Sequence, residues 1–159
     1  MVPMISSALK PAVTRLIEPV ARLALRIGLT PNHVTLIGAV GVLASAGYFY
    51  PREDYFVGTL VICLFALSDL FDGTMARLSH QGPSKWGGFL DSTIDRVTDS
   101  AITIAVLVSL IAADDKLSYL GLITLVTGLL IPYIRAKAES FNIQCSTGIA
   151  ERTERLIII

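Results

Sequence analysis

Four long apolar runs restrict the fold of this chain more than any other feature of its sequence. They extend from about His33 to Phe49, Tyr55 to Ala76, Gly87 to Ala113 and Leu117 to Ala138. A helix needs about 20 residues to cross the hydrocarbon of a bilayer, and it satisfies its own backbone hydrogen bonds there. The composition agrees: 16% of residues are charged and the mean hydropathy is +0.65, whereas a soluble domain is about 25% charged. The expected class is an all-α, multi-pass transmembrane bundle. Spans two and three exceed the hydrocarbon thickness if their polar ends are counted, so those ends project beyond it or line a wet cavity. Pro132 marks a site for a kink in the fourth span. Zero net charge leaves no overall basic field for nucleic acid. Cys63 falls mid-run, far in sequence from Cys145, and reads as a small packing residue.

The segment ahead of the first run has a different character. Between Lys10 and Ile27, the charged residues Arg15, Glu18, Arg22 and Arg26 recur at three- and four-residue spacing, with Leu16, Val20, Leu23 and Ile27 on another face. This pattern predicts an amphipathic helix in the membrane interface, basic face toward anionic headgroups. A helix packed on protein is the alternative. The segment lacks the compact apolar core and cleavage site of a signal peptide. Gly28 ends the helix, and Pro31 and Asn32 in GLTPNHVT mark the break. The expected division is a juxtamembrane segment, residues 1–29, and a transmembrane domain, residues 30–159. Near Ile149 a further helix begins, and RLIII reads as the start of a fifth span that the sequence does not complete.

Lys and Arg set the orientation. Lys10, Arg15, Arg22 and Arg26 precede the first span, Arg77 and Lys85 separate the second from the third, and Arg135, Lys137, Arg152 and Arg155 follow the fourth. The opposite side holds only Arg52 and Lys116, and Arg96 lies inside the third span. The basic side is expected to be cytoplasmic.

Four acids stand at that side. Asp69 and Asp72 are three apart and Asp91 and Asp95 four apart, so each pair shares a helix face. The short loop between them, with Gly82 and Pro83, makes the two helices antiparallel neighbours whose acidic faces can meet. Ionised carboxylates near lipid are costly, and like charges side by side add to the penalty. Arg77 and Arg96 could offset two of them. A divalent metal, or a pair, does so better, and oxygen ligands without His or Cys favour Mg²⁺ or Mn²⁺ over zinc. A salt-bridge network is the rival explanation, but too few cations lie nearby. Asp99 continues the stripe one turn deeper, where a structural partner such as Arg96 and a catalytic role are equally served. Gly73 and Ala76 adjoin Asp72, and Gly87 and Gly88 precede Asp91; such small residues admit a backbone, or a phosphate and sugar. At Gly73 substrate approach is the better reading, and at Gly88 either holds. A cation transporter would place its carboxylates near the bilayer midplane instead. Gly38, Gly41 and Ser45 on span one suit a helix interface, between copies or within the monomer.

DLFDGTMAR followed by GGFLDSTID resembles the signature of the CDP-alcohol phosphotransferase family, through Asp69, Asp72, Gly73, Ala76, Arg77, Gly87, Asp91 and Asp95. The TPN stretch and the polar end of span four fit as well. The interval from Arg77 to Gly87 is one residue longer than the commonest family form, within the loop. The resemblance implies six spans and a homodimer. It implies that the phosphatidyl group of CDP-diacylglycerol passes to an alcohol while CMP leaves. Asp69, Asp72 and Asp91 together with Asp95 would bind two ions, Mg²⁺ or Mn²⁺, and Asp95 would be the general base. Pro31, Asp69, Gly73, Ala76 and Arg77 would line the CDP-lipid.

IPYIRAKAESFNIQCSTGIAERTERL bears on the acceptor. Arg135, Lys137, Arg152 and Arg155 gather on the acid-bearing side, interleaved with Glu139, Glu151 and Glu154, so they are not simply a lipid-attracting patch. Flanking positive-inside charge would look similar, but bidentate Arg suits a phosphate monoester. The stretch resembles the phosphatidylinositol phosphate synthase branch of the family. That implies inositol 1-phosphate as acceptor, its phosphate held by Arg135, Lys137, Arg152 and Arg155, with Tyr133 near the ring hydroxyls. The alternative is glycerol 3-phosphate, giving phosphatidylglycerophosphate. The expected location is the cell membrane, with the site on the cytoplasmic side.

Overall fold

The computed structural model describes residues 17–79, 82 and 84–143, and every regular element among them is helical. Helix α1 covers 17–26. Helix α2 (Pro31–Phe49) runs into a 3₁₀ turn at Tyr50–Arg52, and α3 (Tyr55–Ala66) and α4 (Ser68–Leu78) follow. Helices α5 (Lys85–Ala112) and α6 (Leu117–Ser140) complete the order. Among the described residues three segments are long and apolar enough to cross a membrane: Pro31–Arg52, Tyr55–Leu78 and Leu117–Ser140. Helix α5 is the longest, with 28 residues, or about 42 Å at 1.5 Å per residue. Its charged first half, with Asp91, Asp95, Arg96 and Asp99, separates it from the other three. The expected fifth span lies outside the described residues.

Each element begins and ends for local reasons. At the end of α1, Gly28 takes a left-handed φ of 85°, its N–H bonds Leu25 O, and Leu29 N–H reaches back to Ala24 O. This Schellman closure uses glycine because a Cβ is disfavoured at that φ. Thr30 then caps α2, accepting from His33 N–H, while Pro31 sits at the first turn where no donor is needed. Ser84 caps α5 by accepting from Gly87 N–H at 2.9 Å. Helix α6 continues through Pro132 to Ser140.

The second span is not one uniform helix, as the apolar run suggested. It breaks at Leu67, whose carbonyl accepts from Leu70 N–H at 3.0 Å in a tight i→i−3 bond. Helix α2 crosses this break closely. A methyl group added to Gly38 would overlap the Ser68 side chain, and one added to Gly41 would overlap the Phe65 ring. The small-residue face of span one therefore serves packing within the monomer, and Ser45 beside it is buried with its hydroxyl on Gly41 O at 2.6 Å.

Two apolar clusters flank the crossing. Val42, Ala46, Tyr50 and Ile62 pack with Ile102, Ala105 and Val106 of α5. At the other end Ile17 and Ala21 of α1 close over Met75 of α4, which is fully buried. The face of α1 expected to be apolar is divided in role. Val20, Leu23 and Ile27 are exposed, whereas the intervening Ile17 and Ala21 hold the helix to protein; Leu16 lies outside the described residues. No residue of α6 is buried, and its exposed aliphatic side chains suit lipid. Many hydroxyls within the spans are satisfied on their own helices, as at Thr103 to Asp99 O and Ser109 to Ala105 O.

Gly41→Val is expected to destabilise the bundle by about 1–3 kcal/mol through overpacking on Phe65. Gly47→Ala, at a helical position with nothing within 4 Å, is expected to raise stability by up to about 1 kcal/mol. Thermal unfolding in detergent compares the two.

Candidate metal and nucleotide site

The helix break places the acids. Because α4 starts afresh at Ser68, Asp69 lies in its first turn and Arg77 near its last, each at the end of the helix dipole that favours its charge. Asp72 follows one turn later and is buried, turned toward α2. There Thr35 Oγ1 donates to Asp72 Oδ2. Asp91 approaches from α5, two turns after the Ser84 cap. One oxygen from each of Asp69, Asp72 and Asp91 lies within 4.8 Å of the others. Ligand oxygens at a small octahedral cation stand about 3–4 Å apart, so the three oxygens would draw together by about an ångström to share one cation. An all-carboxylate donor set suits Mg²⁺ or Mn²⁺.

Asp95 stands one turn beyond Asp91, and its carboxylate is 3.8 Å from the Arg96 guanidinium. The same guanidinium is 3.7 Å from Asp99, which thus has the structural partner that one of its two readings required. Arg77 is exposed and donates to Thr74 Oγ1 at 3.0 Å. Its guanidinium lies over Gly73, where an added Cβ would sit 3.7 Å away.

Two cavities meet at the acids. A cleft of about 820 Å³ opens between α1, α2, α4 and α5, and its walls include Pro31, Gly73, Ala76, Gly87 and Gly88. Four of the five residues expected to line a CDP-lipid are therefore close to it: Pro31, Gly73 and Ala76 form its wall, and Arg77 covers Gly73. A second cavity of about 410 Å³ runs between α2, α3 and α5 past Val42 and Ile62 to Tyr50, and Asp69 and Asp95 face it. Thr35, Asp72 and Asp91 line both. Gly87 gives room for protein, since an added Cβ would press on Ser84 Oγ and Asn32 Oδ1. Gly88 has nothing within 4 Å and opens into the cleft, so tight packing does not explain it.

The residues expected to hold an acceptor phosphate are less converged. Tyr133 is exposed, and neither it nor Arg135 nor Lys137 lines these two cavities. Arg135 pairs with Glu139 at 3.0 Å. Lys137, two residues on and therefore on another face, lies 4.7 Å over the Phe141 ring. Arg152 and Arg155 lie outside the described residues. Reading the sequence alone overlooked Thr35, Asn32 and Arg26, which line the cleft. The TPNHVT string held a signal for Thr35, which falls one turn after Pro31.

The profile of the CDP-alcohol phosphatidyltransferase family matches residues 28–157. A phosphatidylinositol phosphate synthase of Streptomyces avermitilis is 43% identical over 148 residues, covering 91% of this chain and 60% of its own length. The chain thus spans less than two thirds of that relative. A crystal structure of the Mycobacterium tuberculosis phosphatidylinositol phosphate synthase with CDP-DAG bound superposes with a TM-score of 0.84 at 40% identity, covering 91% of this chain and 73% of that one. The same mycobacterial enzyme solved with manganese and citrate gives 0.82 at 40% identity, covering 90% and 69%.

Gly88→Leu is expected to leave the melting temperature unchanged, because its side chain enters open space, while weakening CDP binding several-fold. Calorimetric titration with CDP and a melting curve measure the two effects.

Proposed function

The chain belongs to the CDP-alcohol phosphatidyltransferase family, and from that premise we propose that it transfers the phosphatidyl group of CDP-diacylglycerol to inositol 1-phosphate, releasing CMP. The observation that carries this reading is the convergence of Asp69, Asp72 and Asp91 where a wide cleft bearing Arg22, Arg26 and four glycines meets a narrower, more apolar cavity. A CDP-linked lipid has those two halves, and its diphosphate joins them. Gly73 and Ala76 leave room for the ribose and diphosphate, Pro31 borders the same space, and Arg77 donates to phosphate oxygens. Divalent cations held by Asp69, Asp72, Asp91 and Asp95, Mg²⁺ or Mn²⁺ and two in number, would neutralise the diphosphate and the charge developing on departing CMP.

Asp95 is the general base: it accepts the proton of the attacking acceptor hydroxyl. Arg96 orients its carboxylate. Arg135 and Lys137 on α6, with Arg152 and Arg155 further along the chain, take the phosphate of the acceptor, and Tyr133 borders its ring. Arg135 would exchange Glu139 for that phosphate, an exchange of small cost because an exposed i,i+4 pair contributes only about 0.3–0.5 kcal/mol. The protein works as a homodimer in the cell membrane with the acids toward the cytoplasm, the side favoured by its Lys and Arg. Helix α1 lies in the interface, with Val20, Leu23 and Ile27 toward lipid.

The test is CMP release from CDP-diacylglycerol in mixed micelles with Mg²⁺, inositol 1-phosphate and glycerol 3-phosphate being offered separately. Faster release with inositol 1-phosphate is expected; faster release with glycerol 3-phosphate overturns the choice of acceptor. Asp95→Asn is expected to abolish release but retain CDP-diacylglycerol binding. A binding loss as large as that of Asp69→Asn contradicts its role as base.

A further inference from the structure

Resting on the reading of Asp72 as a metal ligand, we infer that Thr35 is a positioning residue of the metal site. Helix α2 contributes no acid to the cluster, yet it supplies this contact with Asp72. Thr35 and Asp72 are both buried, at 8% and 6% exposure, and their hydrogen bond joins positions 37 apart in the sequence.

A threonine hydroxyl has one proton to give. Thr35 Oγ1 has a local acceptor, Pro31 O at 3.1 Å on its own helix. Ser45, Thr74, Thr103 and Ser109 use such a carbonyl four residues back. The carboxylate of Asp72 is the stronger acceptor, because a hydrogen bond to an ionised oxygen is roughly twice as strong as a neutral one. Directed across the helix pair, the proton fixes the Asp72 carboxylate by one oxygen, Oδ2. With its orientation fixed in this way, the carboxylate also offers an oxygen to the cluster with Asp69 and Asp91. The close crossing at Gly38, one turn from Thr35, sets the separation that this bond requires.

The location adds a second reason. Thr35, Asp72 and Asp91 are the residues common to the wide cleft and the narrower cavity. A carboxylate at such a junction has open space on two sides; besides the backbone of Gly73, Thr35 is the contact that fixes its orientation, and it does so from another helix. Thr35 holds it at the point where both halves of the substrate meet the cation.

The test is a Mn²⁺ titration of the purified protein in detergent, without substrate, followed by electron paramagnetic resonance. The proteins compared are the parent, Asp72→Asn, Thr35→Val and Thr35→Ser, each with a melting curve. Loss of an outer partner of a metal ligand typically weakens binding about 10–100-fold. Thr35→Val is expected to lose Mn²⁺ affinity by that factor at unchanged melting temperature, and Thr35→Ser to restore it. Thr35→Ala repeats the comparison without the added branched methyl. Parental affinity in Thr35→Val, or no recovery in Thr35→Ser, overturns the inference alone. Equal affinity in the parent and Asp72→Asn overturns the metal reading of Asp72, and the inference with it.

Discussion

Three carboxylates held within 4.8 Å of one another repel, and the rest of this structure is organised around holding them there. They come from two helices, α4 and α5, that would relax apart if only their own contacts mattered. Helix α2 prevents this. It crosses the α3–α4 break at Gly38 and Gly41, packs on α5 through Val42 and Ala46, and ties Asp72 through Thr35. Helix α1 clamps the other face of α4 through Met75. The repulsion is opposed by packing, so the acids are poised before any cation arrives. That preorganisation raises affinity for a small, highly charged ion.

This arrangement also explains where the acids stand. At the bilayer midplane they would face only lipid tails. Toward the ends of α4 and α5 they lie between a cleft lined by glycine and arginine and a cavity whose far end is apolar, around Val42, Ile62, Ile102 and Val106. On the proposed reading, a substrate with a diphosphate between a nucleoside and a lipid would be gripped at that boundary.

Much of this was legible in the sequence because the signals were local. The lengths of the apolar runs gave the helices to within a few residues. Gly28, Pro31 and Asn32 marked the start of α2, and the acid spacings gave the faces of α4 and α5. Contacts between distant segments were not legible. Both sides of Leu67 are helical and no Gly or Pro lies close to it, so the break in the second span left no trace in the sequence. Thr35 reads as an ordinary helical hydroxyl until Asp72 is seen opposite it. On α1, several faces carry apolar residues, and only the packing shows that Ile17 and Ala21 meet α4 while Val20 and Leu23 do not. Arg135 and Lys137 share a charge but point from different faces of α6, which composition does not reveal.

The central claim is that Asp69, Asp72 and Asp91 share a divalent cation between α4 and α5. Anomalous diffraction from crystals of the protein soaked in Mn²⁺ tests it most directly. The account predicts a manganese peak within about 2.2 Å of an oxygen from each of the three carboxylates, a distance typical of small octahedral cations. A peak bound elsewhere, or none at a Mn²⁺ concentration that saturates the protein in solution, would contradict it.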